Sequence, residues 1–149
     1  METKRELFQI MVRRLGLLDK NCCTAADADL TLVQSHILAE LERREAPSIQ
    51  DVADTLGTDI TTFSRQIQTM VKSGMITKKQ SANDKRVYHL FLTEKGKNVS
   101  ESINDQMNNF LEDVFSFMKP EEKEQVLTSI KLLNDSMAKS SMCCRPIRS

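Results

Sequence analysis

The sequence predicts a mostly α-helical protein with one small β-hairpin, that is, an α+β fold. Apolar residues recur three and four positions apart along most of the chain, which is the spacing of amphipathic helices. One turn-rich segment, 81–86, separates two short runs that are typical of paired strands. At 149 residues, the chain can form one domain with a modest core together with long flanking helices.

Three helices are predicted before the middle of the chain. They cover Glu2–Lys20, the residues from Leu32 to the charged run 42–45, and Ile49–Leu56. Residues that typically begin or end a helix bound the second and third of them: Thr31, Pro47, Ser48 and Gly57. Between the first and second helices, the helical pattern is interrupted over Asn21–Asp29.

The next predicted helix, from Ile60 to Ser73, has two different faces. Thr58 and Asp59 offer capping oxygens at its start, and Gly74 lies where it should end. One face is apolar: Ile60, Phe63, Ile67, Met70 and Val71. The other face carries hydroxyls, amides and cations, without an acid after Asp59: Thr61, Thr62, Ser64, Arg65, Gln66, Gln68, Thr69 and Lys72. Such a face can lie against phosphates and base edges without repulsion, so we interpret this element as a recognition helix.

A β-hairpin is predicted directly after this helix, with strands 75–79 and 87–92. Its tip carries the cations Lys85 and Arg86, and Asp84 can hold the Arg86 guanidinium by a charge-assisted hydrogen bond. A basic hairpin behind a recognition helix is a wing that could reach a neighbouring minor groove. Together the two elements predict one set of DNA-binding residues: Thr61, Thr62, Ser64, Arg65, Gln66, Thr69, Asp84, Lys85 and Arg86.

Two long helices are predicted in the last third of the chain. Thr93 caps the first, which continues to Met118, and Pro120 begins the second. Like the first helix of the chain, they carry wide apolar stripes that usually pack against one another or against a second chain. We therefore expect a homodimer, in which a two-fold axis would place two recognition helices about 34 Å apart, one turn of DNA. A monomeric helical cap is the alternative.

The expected organisation follows from these elements. Residues 30–96 form a winged helix-turn-helix domain, residues 1–29 and 97–140 form a helical dimerisation module, and residues 141–149 form a flexible tail.

Charge is unevenly distributed, although 21 basic and 21 acidic residues sum to zero. Residues 60–100 contain eight basic and two acidic residues, 8 − 2 = +6, whereas residues 101–139 contain four lysines and eight acids, 4 − 8 = −4. A basic centre flanked by acidic helices is typical of a localised nucleic-acid interface. The chain has no long apolar run and no apolar leader at its start, which predicts a cytoplasmic protein without a membrane partner.

The four cysteines form two adjacent pairs, Cys22-Cys23 and Cys143-Cys144. Structural disulfides are rare in the cytoplasm. Neighbouring thiols can bind a soft metal or metalloid ion such as trivalent arsenic, or condense when they are oxidised. Structural zinc fits less well, because its cysteines usually lie two to four residues apart, and a passive role as small apolar residues also stays open. The pairs could meet within or across subunits. No cofactor is required; a thiophilic effector at these cysteines is the hypothesis.

Taken together, the motifs resemble the MarR family of bacterial winged-helix regulators. The wing and exit pattern of that family is Asp-x-Arg, three residues, Leu-x-Leu-Thr, two residues and Gly. This chain has the pattern without a gap: Asp84, Arg86, Leu90, Leu92, Thr93 and Gly96. Upstream, 30–34 is similar to the family's entry to the second helix, 49–57 to its "ala-leu" helix-turn, and 59–65 to the start of its recognition helix.

The resemblance implies a homodimer that binds a pseudo-palindromic operator, usually as a repressor, and is released when a ligand or a thiol modification distorts the dimer. By position it implies that Thr61, Thr62 and Arg65 read the groove, that Arg86 enters the minor groove, and that Asp84 orients Arg86. The two cysteine pairs are not part of the general family pattern, so the resemblance does not supply the inducer.

Other functions stay open at this point. A small organic inducer could bind between the dimer helices and the winged domain, in a pocket lined by Met11, Leu15, Met107, Phe110 and Leu111. A DNA-architectural protein without a switch is a further possibility. An enzyme such as a dithiol reductase is disfavoured, because the chain has neither a C-x-x-C motif beside a βαβ pattern nor a phosphate-binding glycine loop.

Overall fold

The order of the secondary-structure elements matches the α+β prediction. The computed structural model describes residues 1–16, 23–25 and 28–140, with only the backbone described for 23–25, 28 and 29. Within these residues the helices are α1 (Lys4–Arg14), α2 (Leu32–Arg43), α3 (Ile49–Leu56), α4 (Ile60–Lys72), α5 (Glu94–Ser116) and α6 (Pro120–Lys139). The strands are β1 (Cys23–Ala25), β2 (Ala28–Leu30), β3 (Ile76–Gln80) and β4 (Tyr88–Leu92).

Local capping fixes where most of these helices begin. Thr31 and Ser48 each form a reciprocal capping box, in which a side-chain oxygen three residues later bonds back to the cap. Asp59 and Thr93 cap α4 and α5 through their side chains, and Pro120 is the first residue of α6. Each of these starts was predicted, because a cap depends only on residues within one helical turn.

Two parts of the N-terminal third differ from expectation. Helix α1 ends at Arg14 instead of continuing, because Gly16 adopts a left-handed conformation with φ of 72°. In the interrupted segment that follows, β1 and β2 form an antiparallel hairpin in which Cys23 faces Leu30. Three-residue strands are too short to show an alternating pattern, so the sequence did not reveal them.

The hydrophobic core lies between α2, α4, the β3–β4 hairpin and the first turns of α5. Its fully buried side chains include Ile37, Leu38, Phe63, Ile67, Met70, Ile76, Leu90 and Val99. In the hairpin, Ile76 faces Leu92 and Gln80 faces Tyr88, and Ser48 forms an isolated bridge with His89 that ties the hairpin to the start of α3. We call residues 30–100 the winged core.

The terminal helices, α1 and α6, contribute no buried residue. Their apolar side chains stay largely accessible; Leu7 is 51% exposed and Ile130 is 46% exposed. None of the described helices is long and apolar enough to span a bilayer.

Candidate nucleic-acid interface

Helix α4 is held in the winged core by one side only. Phe63, Ile67 and Met70 are buried, so the opposite side of the helix faces outward. Ile60, predicted to share the apolar stripe, is instead 40% exposed, because it lies in the first turn, beyond the edge of the core. At the same end, the Asp59 carboxylate accepts hydrogen bonds from the backbone N–H groups of Thr61 and Thr62, at 3.1 and 3.2 Å.

The outward side of α4 is polar and contains no acid after Asp59. The exposed members are Thr61, Thr62, Arg65, Gln68, Thr69 and Lys72, and Ser64 is half-buried beside them. The Thr69 hydroxyl donates to the Arg65 carbonyl oxygen at 3.1 Å, which leaves its lone pairs facing outward as acceptors. This surface can donate to and accept from a polyanion without repelling it.

Gln66 occupies a different position from the other predicted contact residues. It is half-buried, and its side-chain oxygen accepts a hydrogen bond from the Gln34 amide on α2 at 3.1 Å. The partner lies 32 residues earlier in the chain, so no local pattern could have indicated the contact.

The wing presents Arg86 in a hydrogen-bonded pair with Asp84. Asp84 accepts from the backbone N–H of Arg86 at 2.9 Å, and its two carboxylate oxygens lie 3.2 Å from Nε and from Nη2 of the guanidinium. These bonds, the side-chain ones foremost, lower the pKa of Asp84, because they stabilise its charged form. The Arg86 side chain nevertheless remains 90% exposed. The predicted contact between Asp84 and Arg86 is therefore present and leaves Arg86 accessible; Lys85 beside it is also exposed.

A cleft of about 390 Å³ separates α4 from the wing. Lys78 and Tyr88 line it together with Ser64, Gln68 and Arg86. The Lys78 ammonium lies 5.0 Å from the centre of the Tyr88 ring, a cation–π contact across the two strands. Sequence reasoning did not single out this pair, although residues diagonally opposite in a hairpin can be paired once the register is known.

The end of α4 is bonded to the start of α5. The Thr93 hydroxyl lies 2.5 Å from the Gly74 carbonyl oxygen, and the Lys95 ammonium donates to the Ser73 carbonyl oxygen at 2.7 Å. A Cβ at Gly96 would lie 2.0 Å from the Met75 carbonyl oxygen, so only glycine fits there. Thr93 and Gly96 of the exit motif thus hold the start of α5 against the turn that follows α4.

The cysteine prediction falls mostly outside the described residues. Cys22, Cys143 and Cys144 are not among them, and for Cys23 only the backbone is placed, in β1.

The apolar groove between α1, α5 and α6 measures about 440 Å³. Of the residues predicted to line an inducer pocket, Met11, Leu15, Phe110 and Leu111 contact this groove, and Met107 does not.

Comparison with known sequences places the chain among transcriptional regulators. A model described as the MarR family matches residues 30–88. The chain is 34% identical over 91 residues to the transcriptional repressor MprA of Escherichia coli (strain K12), covering 60% of this chain. The match spans about half, 52%, of the length of MprA. It is 31% identical over 121 residues to YybA, an uncharacterised HTH-type transcriptional regulator of Bacillus subtilis (strain 168), covering 78% of this chain and 81% of YybA.

Solved structures show the same fold. The structure of S. aureus MepR in complex with DNA superposes with a TM-score of 0.75 and 20% identity, over 91% of this chain and 99% of MepR. The predicted winged-helix α+β fold is confirmed by this likeness.

Proposed function

Because the chain belongs to the MarR family of winged-helix transcriptional regulators, we propose that it is a homodimeric repressor that binds a pseudo-palindromic DNA operator. The observation that carries this proposal is the acid-free, outward side of α4 beside the exposed and oriented guanidinium of Arg86. The relatives of this chain are transcriptional regulators rather than enzymes.

Helix α4 has dimensions that suit the major groove. Its 13 residues span about 20 Å at about 1.5 Å per residue, and the groove is about 12 Å wide. We assign base contacts to Thr61, Thr62 and Arg65, because an arginine guanidinium can bond guanine in two places and hydroxyls can bond several base edges. Ser64 and Thr69 then lie beside the phosphates.

The wing supplies the second contact region. Arg86 is exposed and held by Asp84, so it can enter an adjacent minor groove with little loss of side-chain freedom, while Lys85 neutralises phosphate. Asp84 acts through Arg86 rather than by meeting the DNA itself, since a carboxylate repels phosphate.

A second copy of the chain is proposed to cover the terminal helices. α1 and α6 bury nothing within the chain, yet Leu7, Phe8, Ile130 and Leu132 project from them with at least 46% exposure. Burial of such side chains stabilises an interface by about 25 cal/mol per Å² of apolar area. The acidic residues of α5 and α6 suit a module that faces away from the DNA.

For the release signal, we propose thiol modification or binding of a thiophilic ion at Cys22-Cys23 and Cys143-Cys144. The support is the sequence itself: adjacent thiols are suited to soft ions and to oxidation. A small organic inducer is the second candidate, favoured by the apolar groove of about 440 Å³ between α1, α5 and α6, which lies within the size range of ligand pockets.

Selection of DNA from a random pool, with and without reductant, tests the main proposal. We expect an inverted repeat with half-sites about 10 base pairs apart. Recovery of unrelated sequences with no symmetry would contradict operator binding and favour an architectural protein.

Titration of the bound complex with arsenite, copper(I), zinc and peroxide tests the release signal. The wild-type protein should leave the operator with at least one of these reagents, and a variant with all four cysteines changed to serine should not. If that variant is still released in full, the cysteines are not the sensor.

A further inference from the structure

Gln34, on α2, is a buried amide with both ends engaged. It is 6% exposed, its side-chain oxygen accepts from the backbone N–H of Thr31 at 3.1 Å, and its side-chain nitrogen donates to Gln66 at 3.1 Å. Burial of an amide without hydrogen-bond partners costs free energy, so both bonds favour this position of the Gln34 side chain.

The bond to Gln66 is not needed for the helix cap. The capping box uses only the side-chain oxygen of Gln34, and a glutamate side chain can fill the same role. What glutamine adds is an N–H donor, and the structure directs that donor across to α4. The contact therefore calls for an explanation other than the stability of α2.

The contact adds a directional constraint to the apolar packing of α4. Phe63, Ile67 and Met70 attach α4 through contacts that have no preferred direction, whereas a hydrogen bond constrains both distance and angle. Gln66 directly follows Arg65 on the same helix, so a bond at Gln66 sets how far α4 is turned about its own axis.

We propose that Gln34 is a positioning residue for DNA binding: its amide fixes the rotation of α4, so that Thr62 and Arg65 face the groove. This inference rests on the proposed function of α4. It also gives Gln66 a role through α2, in place of the direct DNA contact predicted from the sequence.

The test is a double-mutant cycle on the operator selected by the wild-type protein, with Gln34→Met, Gln66→Met and the double variant. Methionine keeps the length of the side chain and removes its hydrogen bonds. Each single change should weaken operator binding about tenfold, and the double change should also weaken it about tenfold, because all three break the same bond. The salt dependence of binding should stay unchanged, because no phosphate contact is lost.

Thr31→Val is the matched control. It removes the hydroxyl that accepts from the backbone N–H of Gln34, at 3.2 Å, and leaves the bond between Gln34 and Gln66 intact. It should lower the melting temperature as Gln34→Met does, while operator affinity stays near the wild-type value.

Three results would overturn the inference while leaving the proposed function standing. In the double variant, the two tenfold losses of affinity could multiply to about a hundredfold loss, which is the result expected for independent contacts. Gln66→Met could weaken binding while Gln34→Met does not, which would make Gln66 a direct DNA contact. Thr31→Val could weaken binding as much as Gln34→Met, which would show that the loss of affinity comes from lower stability of the fold. If the wild-type protein selects no DNA sequence, the proposed function is wrong and the inference falls with it.

Discussion

The winged core and the terminal helices differ in how far they bury their apolar side chains. In the winged core, every helix and the hairpin bury apolar side chains against each other, down to 0% exposure for Ile37, Phe63 and Met70. In α1 and α6, the apolar stripes bury no residue within the chain. The comparison teaches that one region buries its apolar side chains within a single copy, whereas the other leaves them uncovered, as the proposed dimer requires.

Helix α5 belongs to both regions. Its first turns place Gly96, Val99 and Ser100 in the winged core, whereas Phe110, further along, lines the groove beside α1 and α6. Variants that affect only one region should therefore separate folding and DNA binding from assembly.

The largest effect is expected at the junction inside the winged core. Gly96→Ala places a methyl group 2.0 Å from the Met75 carbonyl oxygen, a backbone atom that cannot move aside alone. We expect the free energy of unfolding to fall by about 3 kcal/mol, measured by urea denaturation.

Gly74→Ala is the control for that change. Gly74 also has a positive φ, 78°, but a Cβ there meets nothing closer than Lys95 Cδ at 4.0 Å. Only backbone strain of about 1 kcal/mol should remain. Equal losses in the two variants would show that the close approach at Gly96 is not the cause.

The next effect should appear in assembly. A variant with Leu7→Glu and Ile130→Glu places two carboxylates on the exposed stripes of α1 and α6. Because both side chains are only about half exposed in the single chain, the burial lost in the dimer is about 1 kcal/mol per side chain. Burial of the two unpaired carboxylates adds to this loss, so the proposed dimer should dissociate, as seen by sedimentation, while the helical circular dichroism of the chain stays largely unchanged.

Lys131→Glu changes charge on the same helix at a position that is already 78% exposed and should leave the dimer intact. A double variant that sediments like the wild type would contradict the assignment of these stripes to an interface.

Arg65→Ala should act on DNA binding alone. The side chain is exposed, so stability should change little, whereas operator affinity should fall by about 1–3 kcal/mol with relaxed preference at one base pair. Competition binding against single-base operator variants measures both. Lys139→Ala, which removes one positive charge at the end of α6, is the control; if both variants bind alike, Arg65 does not read a base.

The smallest effect is expected in the pH dependence of stability. Hydrogen bonds from the backbone and side chain of Ser48 lower the pKa of Asp51, the partner in the capping box of α3. A carboxylate whose pKa is lowered in the folded state adds stability above its unfolded value of about 3.9, and this is lost as pH falls through the folded value.

Asp51→Asn should therefore lower stability at neutral pH, and the difference from wild type should narrow as the pH falls below the unfolded pKa of about 3.9. Urea denaturation at neutral pH and in acid measures this difference. A constant difference across that range would indicate that the charge of Asp51 is not involved.

Sequence could predict what depends on near neighbours. Caps at Thr31, Ser48 and Asp59 and the contact between Asp84 and Arg86 each involve residues two or three positions apart, and all are present. The bond between Gln34 and Gln66 and the fit of Gly96 against Met75 depend on how distant segments meet, which periodicity does not encode.

The candidate DNA-binding residues divide in the same way. Helical spacing correctly predicted that Arg65 and Thr62 face outward. It could not show that Gln66, at the side of the helix, forms a hydrogen bond with α2. The β1–β2 hairpin escaped notice because two three-residue strands offer too few positions to distinguish them from a loop.

Because hydrogen bonds hold its start, α5 can transmit a displacement of its far end to its near end. Its 23 residues extend about 35 Å from Thr93 to the turn after Ser116. A shift of about 3 Å at the far end tilts such a rod by about 5°. Lys95 and Thr93 bond its near end to the carbonyl oxygens of Ser73 and Gly74, directly after α4. We therefore expect a tilt of α5 to change the orientation of α4.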